Sequence, residues 1–238
     1  MRTPLASILF IQTLSTLTRF TAVLTLALGC AGLLSAPARA QAPHSHQHSF
    51  SGAEHWAEVF DDPKRDAWQK PHQVLETLAL KPDAAVADIG AGTGYFAVRL
   101  AHFLPRGRVY AVDIEPDMVK YLAERARRER LDQITAVAGA PDDARLPGKV
   151  DLVLMVDTYH HIEQREDYFR RLAHSLKPDA RIAIIDFNAK SEIGPPPAAR
   201  MASKQVVAEM AKAGYRLEHE HDFLPNQYFL VFQSRGKN

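Results

Sequence analysis

From about Val59 onward, short apolar runs alternate with stretches whose apolar residues recur at helical spacing. The runs suit strands buried on both faces and the spaced stretches suit amphipathic helices, so the alternation predicts a parallel sheet flanked by helices. Pro71 can open a helix with Val74, Leu75 and Leu78 on one face, ended by Lys81-Pro82-Asp83. Val86 to Ile89 is the first predicted strand, and Gly90 to Gly94 turns the chain into a helix burying Phe96, Leu100 and Leu104. Val109 to Val112 follows as a strand, then a helix from Pro116 with Met118, Val119 and Leu122 inward and Arg125, Arg127 and Arg128 suited to its C-terminal dipole. Further strands fall at Ile134 to Val137, Asp151 to Val156 and Arg181 to Phe187. Between the last two lies a helix with Phe169, Leu172 and Leu176 on its inner stripe. A helix carrying Val206, Val207 and Met210 stops at Gly214, and Tyr215 to His221 and Gln227 to Phe232 close the chain. The prediction is an α/β fold: a Rossmann-like, doubly wound seven-stranded sheet, mostly parallel, with one antiparallel strand from the C-terminal hairpin.

The first forty residues follow another pattern. Arg2 and Arg19 flank and interrupt an apolar stretch, residues 21–34 are uncharged, and Ala38-Arg39-Ala40 has the small-x-small form of a cleavage site. The expected organisation is a signal peptide over 1–40, a polar linker over 41–58 and a folded domain over 59–238. This places the protein outside the cytoplasm, periplasmic or secreted; a membrane-anchored form with an uncleaved leader, or a lipoprotein acylated at Cys30, is the alternative. A wrongly assigned start is a third reading. In the linker His44, His46 and His48 alternate, a spacing that either shares a metal ion or belongs to a solvated tail.

Composition narrows the picture. A chain of 238 residues with 46% hydrophobic and 24% charged residues supports one folding domain with an appendage, and excludes overall disorder. Lys and Arg total 29 against 28 Asp and Glu, so the chain lacks the field on which nucleic-acid binding depends. Cleavage before Gln41 would remove three arginines and the single cysteine, Cys30, leaving no thiolate chemistry.

The chemical signal begins at the first strand, in Val86-Ala87-Asp88-Ile89-Gly90-Ala91-Gly92-Thr93-Gly94-Tyr95-Phe96. Glycines beyond a strand's carboxyl end let backbone approach a ligand where a side chain would collide. Tyr95 stands where a dinucleotide fingerprint wants its third glycine, which disfavours NAD and FAD, and no GK[ST] follows for a triphosphate. Asp113, ending the second strand, can accept both hydroxyls of a ribose, and Asp88 can face an ammonium group. Bland roles exist beside these: glycines that serve only the turn, and an Asp113 that caps the helix from Pro116.

In order along the chain, VADIGAGTGYFAVRLA, AVDIEPDMV, DDARLP, VDLVLMVDTYHHI and LKPDARIAIIDF resemble the successive motifs of the class I S-adenosylmethionine-dependent methyltransferases, small-molecule type. The resemblance covers roughly residues 60 to 235. It implies that Asp88, Gly90, Gly92 and Gly94 hold the methionine portion of S-adenosyl-L-methionine, Asp113 its ribose and Ile114 its adenine face. Asp143, or its neighbour Asp142, would accept from the adenine amino group; the bland alternative is a polar loop. Where the family often has Lys-Pro-Gly-Gly, this chain has Lys177-Pro178-Asp179-Ala180.

Methyl transfer from a sulfonium needs alignment more than a catalyst, but a hydroxyl or ammonium acceptor also needs a base. The loop after the fourth strand offers Asp157, Tyr159, His160 and His161, with His160 or His161 the expected base. Asp157, Asp186 and Asn188 are oxygen-rich enough to weigh as a magnesium set, but Phe187 breaks the spacing and no metal is expected. Trp68, Gln69 and the segment Phe223 to Tyr228 either line an acceptor pocket or belong to the core. The expected activity is methylation of a small-molecule or lipid-like acceptor, with membrane association through the leader and no nucleic-acid partner. A binding module of the same fold without turnover is the alternative, and a nicotinamide oxidoreductase a more distant one.

Overall fold

The computed structural model describes residues 52–234; the leader, Cys30, His44, His46 and His48 lie outside the described residues. Seven strands form one sheet: β1 (Ala85–Ile89), β2 (Arg108–Asp113), β3 (Ile134–Ala138), β4 (Val150–Val156), β5 (Leu176–Phe187), β6 (Tyr215–His221) and β7 (Gln227–Ser234). Their order is β3-β2-β1-β4-β5-β7-β6. Every pairing from β3 to β5 is parallel, and β7 runs antiparallel between β5 and β6. The physical reason lies in the connections. A parallel neighbour needs a long crossover, whereas the short link from His221 to Gln227 can join only antiparallel strands.

The helices are α1 (Ala53–Phe60), α2 (Arg65–Gln69), α3 (Pro71–Leu78), α4 (Tyr95–Phe103), α5 (Pro116–Glu129), α6 (Arg165–Leu172) and α7 (Ser203–Lys212). One core layer sets Val74, Leu78, Leu100 and Leu122 of α3, α4 and α5 against Val86, Leu152 and Ile185 of the sheet. The other sets Phe169 and Met210 of α6 and α7 against Val153, Ile184 and Phe232. Alternate residues of β4 supply opposite layers, which is why its run is apolar throughout. Burying each large side chain such as Phe169 or Phe229 contributes about 1.5–3 kcal/mol.

Three expectations change. The linker assigned to 41–58 overlaps α1, which begins at Ala53, because Ala53 is buried and Trp56 stacks on Phe60 one turn on, at 5.2 Å between ring centroids. Leu176 belongs to β5, not to the preceding helix, because it pairs with Val150 before an irregularity that resumes at Arg181–Leu152. Within that irregularity Asp179 has φ +62, a conformation glycine adopts without cost, which accounts for the residue type the family favours there. Finally α3 ends at Leu78, with Ala79 left-handed, before Lys81-Pro82-Asp83 is reached. Among the described residues no helix is long and apolar enough to cross a membrane.

Candidate active site

The strand order reverses between β1 and β4, and at that switch point the carboxyl ends of β1, β2, β4 and β5 open a crevice. Gly90 and Ala91 donate their N–H groups to the carbonyl of Val112 at 2.9 and 3.0 Å, which folds the turn after β1 onto the end of β2. Gly90, Gly92 and Gly94 all have positive φ. A Cβ at Gly90 would stand 2.2 Å from Thr158 Oγ1, so backbone there touches the loop after β4 directly. A Cβ at Gly94 would meet Leu122 at 2.9 Å, which makes that glycine a packing requirement between α4 and α5 as well.

Asp88 is 3% exposed and its Oδ2 is buried with no hydrogen-bond partner. Burial, and then the neighbouring Asp113 carboxylate, push it up to about 7, against a backbone hydrogen bond from Ala97 and the charge of Arg65. A buried carboxylate oxygen without a partner, beside a second carboxylate, favours a cationic or hydrogen-bond-donating ligand. Asp113 accepts from Gly92 N at 2.8 Å and from Glu115 N at 3.0 Å, so it braces the entrance to α5 while presenting a carboxylate to the crevice. Burial raises Asp113 too, opposed by those two N–H groups. Ile114 follows with 48% exposure, an apolar side chain left uncovered at the crevice edge.

The loop after β3 is tied to the same place by Gly139 N, which donates to Asp113 O at 2.9 Å. Its two acids diverge. Asp142 is 72% exposed and faces Arg171 of α6 at 3.7 Å, on the outer surface, whereas Asp143 accepts from Arg145 N at 2.8 Å within the loop.

At the other end of the crevice the two histidines also separate. His160 Nδ1 lies 2.9 and 2.8 Å from the oxygens of Asp186, a residue 2% exposed at the end of β5. Asp186 also accepts from the N–H of Phe187 at 2.8 Å and of His160 at 3.3 Å. Burial pulls His160 down, but the hydrogen bond and charge of Asp186 outweigh it and the imidazole is raised overall. Nδ1 therefore carries the proton donated to Asp186, and Nε2 is the nitrogen left to accept one. The His161 ring packs on His160 at 4.1 Å between centroids, and the backbone N–H of His161 donates to Thr158 O. Among the described residues no cluster of three acids or histidines converges as a metal site; Asp186 is committed to His160, and Asn188 Oδ1 accepts from Lys190 N at 2.9 Å.

Helices α1 and α2 cover the crevice, a role the sequence left unassigned. The ring of Phe60 lies over Gly92, 3.2 Å from where its Cβ would be. Arg125 of α5 joins Asp61 at 2.8 Å to the carbonyl of Thr93 at 2.9 Å, tying the end of α1 to the glycine turn. Tyr95 is held between the guanidinium groups of Arg65 and Arg99, 4.0 and 3.9 Å from its ring centroid, while its hydroxyl donates to Asp66. Trp68 faces Phe187 at 6.0 Å, while Gln69 and Gln227 are buried and meet at 3.1 Å.

Known proteins match this arrangement. A family model described as a methyltransferase domain matches residues 87–182. The chain is similar to the release factor glutamine methyltransferase of Moorella thermoacetica, 42% identical over 66 residues, covering 28% of this chain and 23% of that protein. It is similar also to the malonyl-[acyl-carrier protein] O-methyltransferase of Acetivibrio thermocellus, 26% identical over 144 residues, covering 60% of this chain and 46% of that one. Thus the chain spans less than half the length of these curated relatives. A solved SAM dependent methyltransferase from Aquifex aeolicus superposes with a TM-score of 0.70 at 25% identity, over 76% of this chain and 97% of that one. Residues 87–182 match a methyltransferase domain, and the sheet order and glycine turn give the chain the fold of the S-adenosylmethionine-dependent methyltransferase class. S-adenosylmethionine is the cofactor of that class, and the unpartnered Asp88 oxygen, the ribose-facing type of acid at Asp113 and the bare turn between them fit its aminoacyl and nucleoside ends.

Proposed function

We propose that the protein methylates a small or lipid-like acceptor at an atom that must lose a proton, with His160 as the base, outside the cytoplasm. The observation that carries the reading is the contact of His160 Nδ1 with buried Asp186, 2.8 Å away where β4 and β5 end. Bound in the crevice, the cofactor supplies a methyl group on a sulfonium. Asp88 and the glycine turn would hold its aminoacyl end, Asp113 its ribose and Ile114 its base, with Asp143 the better placed of the two loop acids for the adenine amino group because Asp142 faces Arg171. His160 Nε2 takes the acceptor's proton, and Asp186 fixes the tautomer and balances the imidazolium that forms. Phe60 and Trp68, on the cover helices, keep water from the reacting atoms.

Export is supported by the leader pattern of Arg2, the uncharged stretch 21–34 and Ala38-Arg39-Ala40. The small-acceptor class is supported by relatives such as the malonyl-[acyl-carrier protein] O-methyltransferase. The test is transfer of isotope-labelled methyl from S-adenosylmethionine into periplasmic and membrane extracts by the wild type and His160→Ala. A labelled product that falls by about 10²-fold or more in the variant, with S-adenosylhomocysteine binding retained, is the expected result. Cofactor binding without product in any extract would instead make the fold a binding module. The mass of the mature N-terminus in each cell fraction checks the location.

A further inference from the structure

The acceptor end of the crevice holds a carboxylate that this proton transfer does not use. Asp157 follows β4 with φ +55, a backbone conformation that costs a non-glycine residue energy and that collects at functional sites. Side chains from two distant elements keep it there. Gln69 Nε2, from α2, donates to Oδ2 at 3.3 Å, and Gln227 Nε2, from β7, donates to Oδ1 at 2.5 Å. Gln69 Nε2 also donates to Gln227 Oε1 at 3.1 Å, and Gln69 Oε1 accepts from Arg65 Nε at 3.0 Å, so both amides are spoken for. The two glutamines are 0% and 2% exposed, while the Asp157 side chain keeps 22% of its surface open. The sealed amides thus pin a side chain that keeps part of its surface open at the end of the sheet where ligands of such folds enter.

The charges here are uneven. Asp157 faces one guanidinium, Arg65, which lies 3.9 Å away and is already spread over Tyr95 and bonded to Gln69 and the carbonyl of Phe60, while Asp186 is paired with His160. Arg165, the next cation on the α6 side, is paired with Glu209 at 2.7 Å. Burial and the nearby Asp186 push Asp157 up to about 7, against Arg65 and the two amides, as expected where negative charge is crowded. Trp68 and Phe187 add an apolar wall, and the loop after β5 closes on Phe187 so tightly that a Cβ on Gly194 would lie 2.5 Å from its ring.

We propose that Asp157 selects the acceptor: its pinned carboxylate takes a hydrogen bond from a neutral or cationic group of the acceptor and turns anionic acceptors away. This rests on the acceptor entering beside His160, as proposed above. The residues Gln69 and Gln227 are positioning residues for that carboxylate.

The experiment reads binding, not turnover. Protein saturated with S-adenosylhomocysteine is titrated above pH 8, where the Asp157 carboxylate is charged, by ligand-observed NMR with three para-substituted phenols of similar size: 4-ethylphenol, tyramine and 4-hydroxyphenylacetate. The neutral and cationic probes are expected to bind at least about tenfold more tightly than the anion, and Asp157→Asn to narrow the gap to about threefold with S-adenosylhomocysteine affinity unchanged. Asp157→Ser provides the same comparison if the asparagine variant fails to fold. An anion bound as tightly as the others, an order that survives both substitutions, or no binding of any probe overturns the proposal. Failure of the His160 reading shows elsewhere, as methyl transfer indifferent to His160→Ala while the probe order persists.

Discussion

Asp88 is a cost to the ligand-free fold and an asset once a cation arrives. Its folded value of about 7 stands above the ordinary 3.8, so the folded state holds its proton longer than the unfolded chain does. The group is neutral in both states at low pH, and it destabilises the fold progressively as pH rises from about 4 to about 7. Asp88→Asn is therefore expected to raise the melting temperature of the ligand-free protein at pH 8, by an amount that shrinks toward pH 4, and to weaken S-adenosylhomocysteine binding by roughly 10- to 100-fold. Thermal melts across that pH range with calorimetry check both halves. His160 carries the opposite sign. Raised above its ordinary 6.5 by Asp186, it contributes stability at low pH that is lost as pH rises through its folded value. Neutral imidazole is the active base, so methyl transfer should rise with pH through that same value. Asp186→Asn removes the charge that raises it, and should move the rise to lower pH while slowing the plateau by roughly 10²-fold or more; a pH–rate profile measures both.

At the scale of elements, the cover built from α1 and α2 depends on ties rather than on its own helical stability. A five-residue helix such as α2 cannot hold itself in water, so Arg65, Gln69 and the Tyr95 contacts must fix it. The corresponding tie for α1 is Arg125, 15% exposed in its side chain, between Asp61 and Thr93. Arg125→Ala should leave the sheet amides protected while hydrogen exchange over 53–69 quickens, and should speed dissociation of S-adenosylhomocysteine. Unchanged exchange in that segment would mean that the cover is held by its apolar contacts, Trp56 on Phe60 and Phe60 on the glycine turn.

Across the whole molecule, a cofactor held as proposed would bridge β1, β2 and the cover helices, and would bind only where all three are assembled. S-adenosylhomocysteine at 100 times its dissociation constant should stabilise the fold by about 2.7 kcal/mol. For a domain this size that is a rise of roughly 5–10 °C in melting temperature, and absence of a shift would contradict the assignment of the crevice.

Neighbouring residues along the chain carry what local physics writes into them: apolar runs for strands covered on both faces, glycines where the turn after β1 needs positive φ, acids at the ends of β1 and β2, and a short final link that forces the antiparallel strand. A polar segment hid α1, because two aromatic residues one turn apart carry its packing and leave no long periodic stripe. Tertiary structure alone decided which histidine meets Asp186. His160 and His161 are the same chemistry one residue apart, and only the register of β4 on β5 gives the carboxylate to the first. The same holds for Asp157 with Gln69 and Gln227, which lie 88 and 70 residues from it. Buried polar groups must find partners wherever the packed sheet places them, and that matching is a property of the assembled fold rather than of any segment.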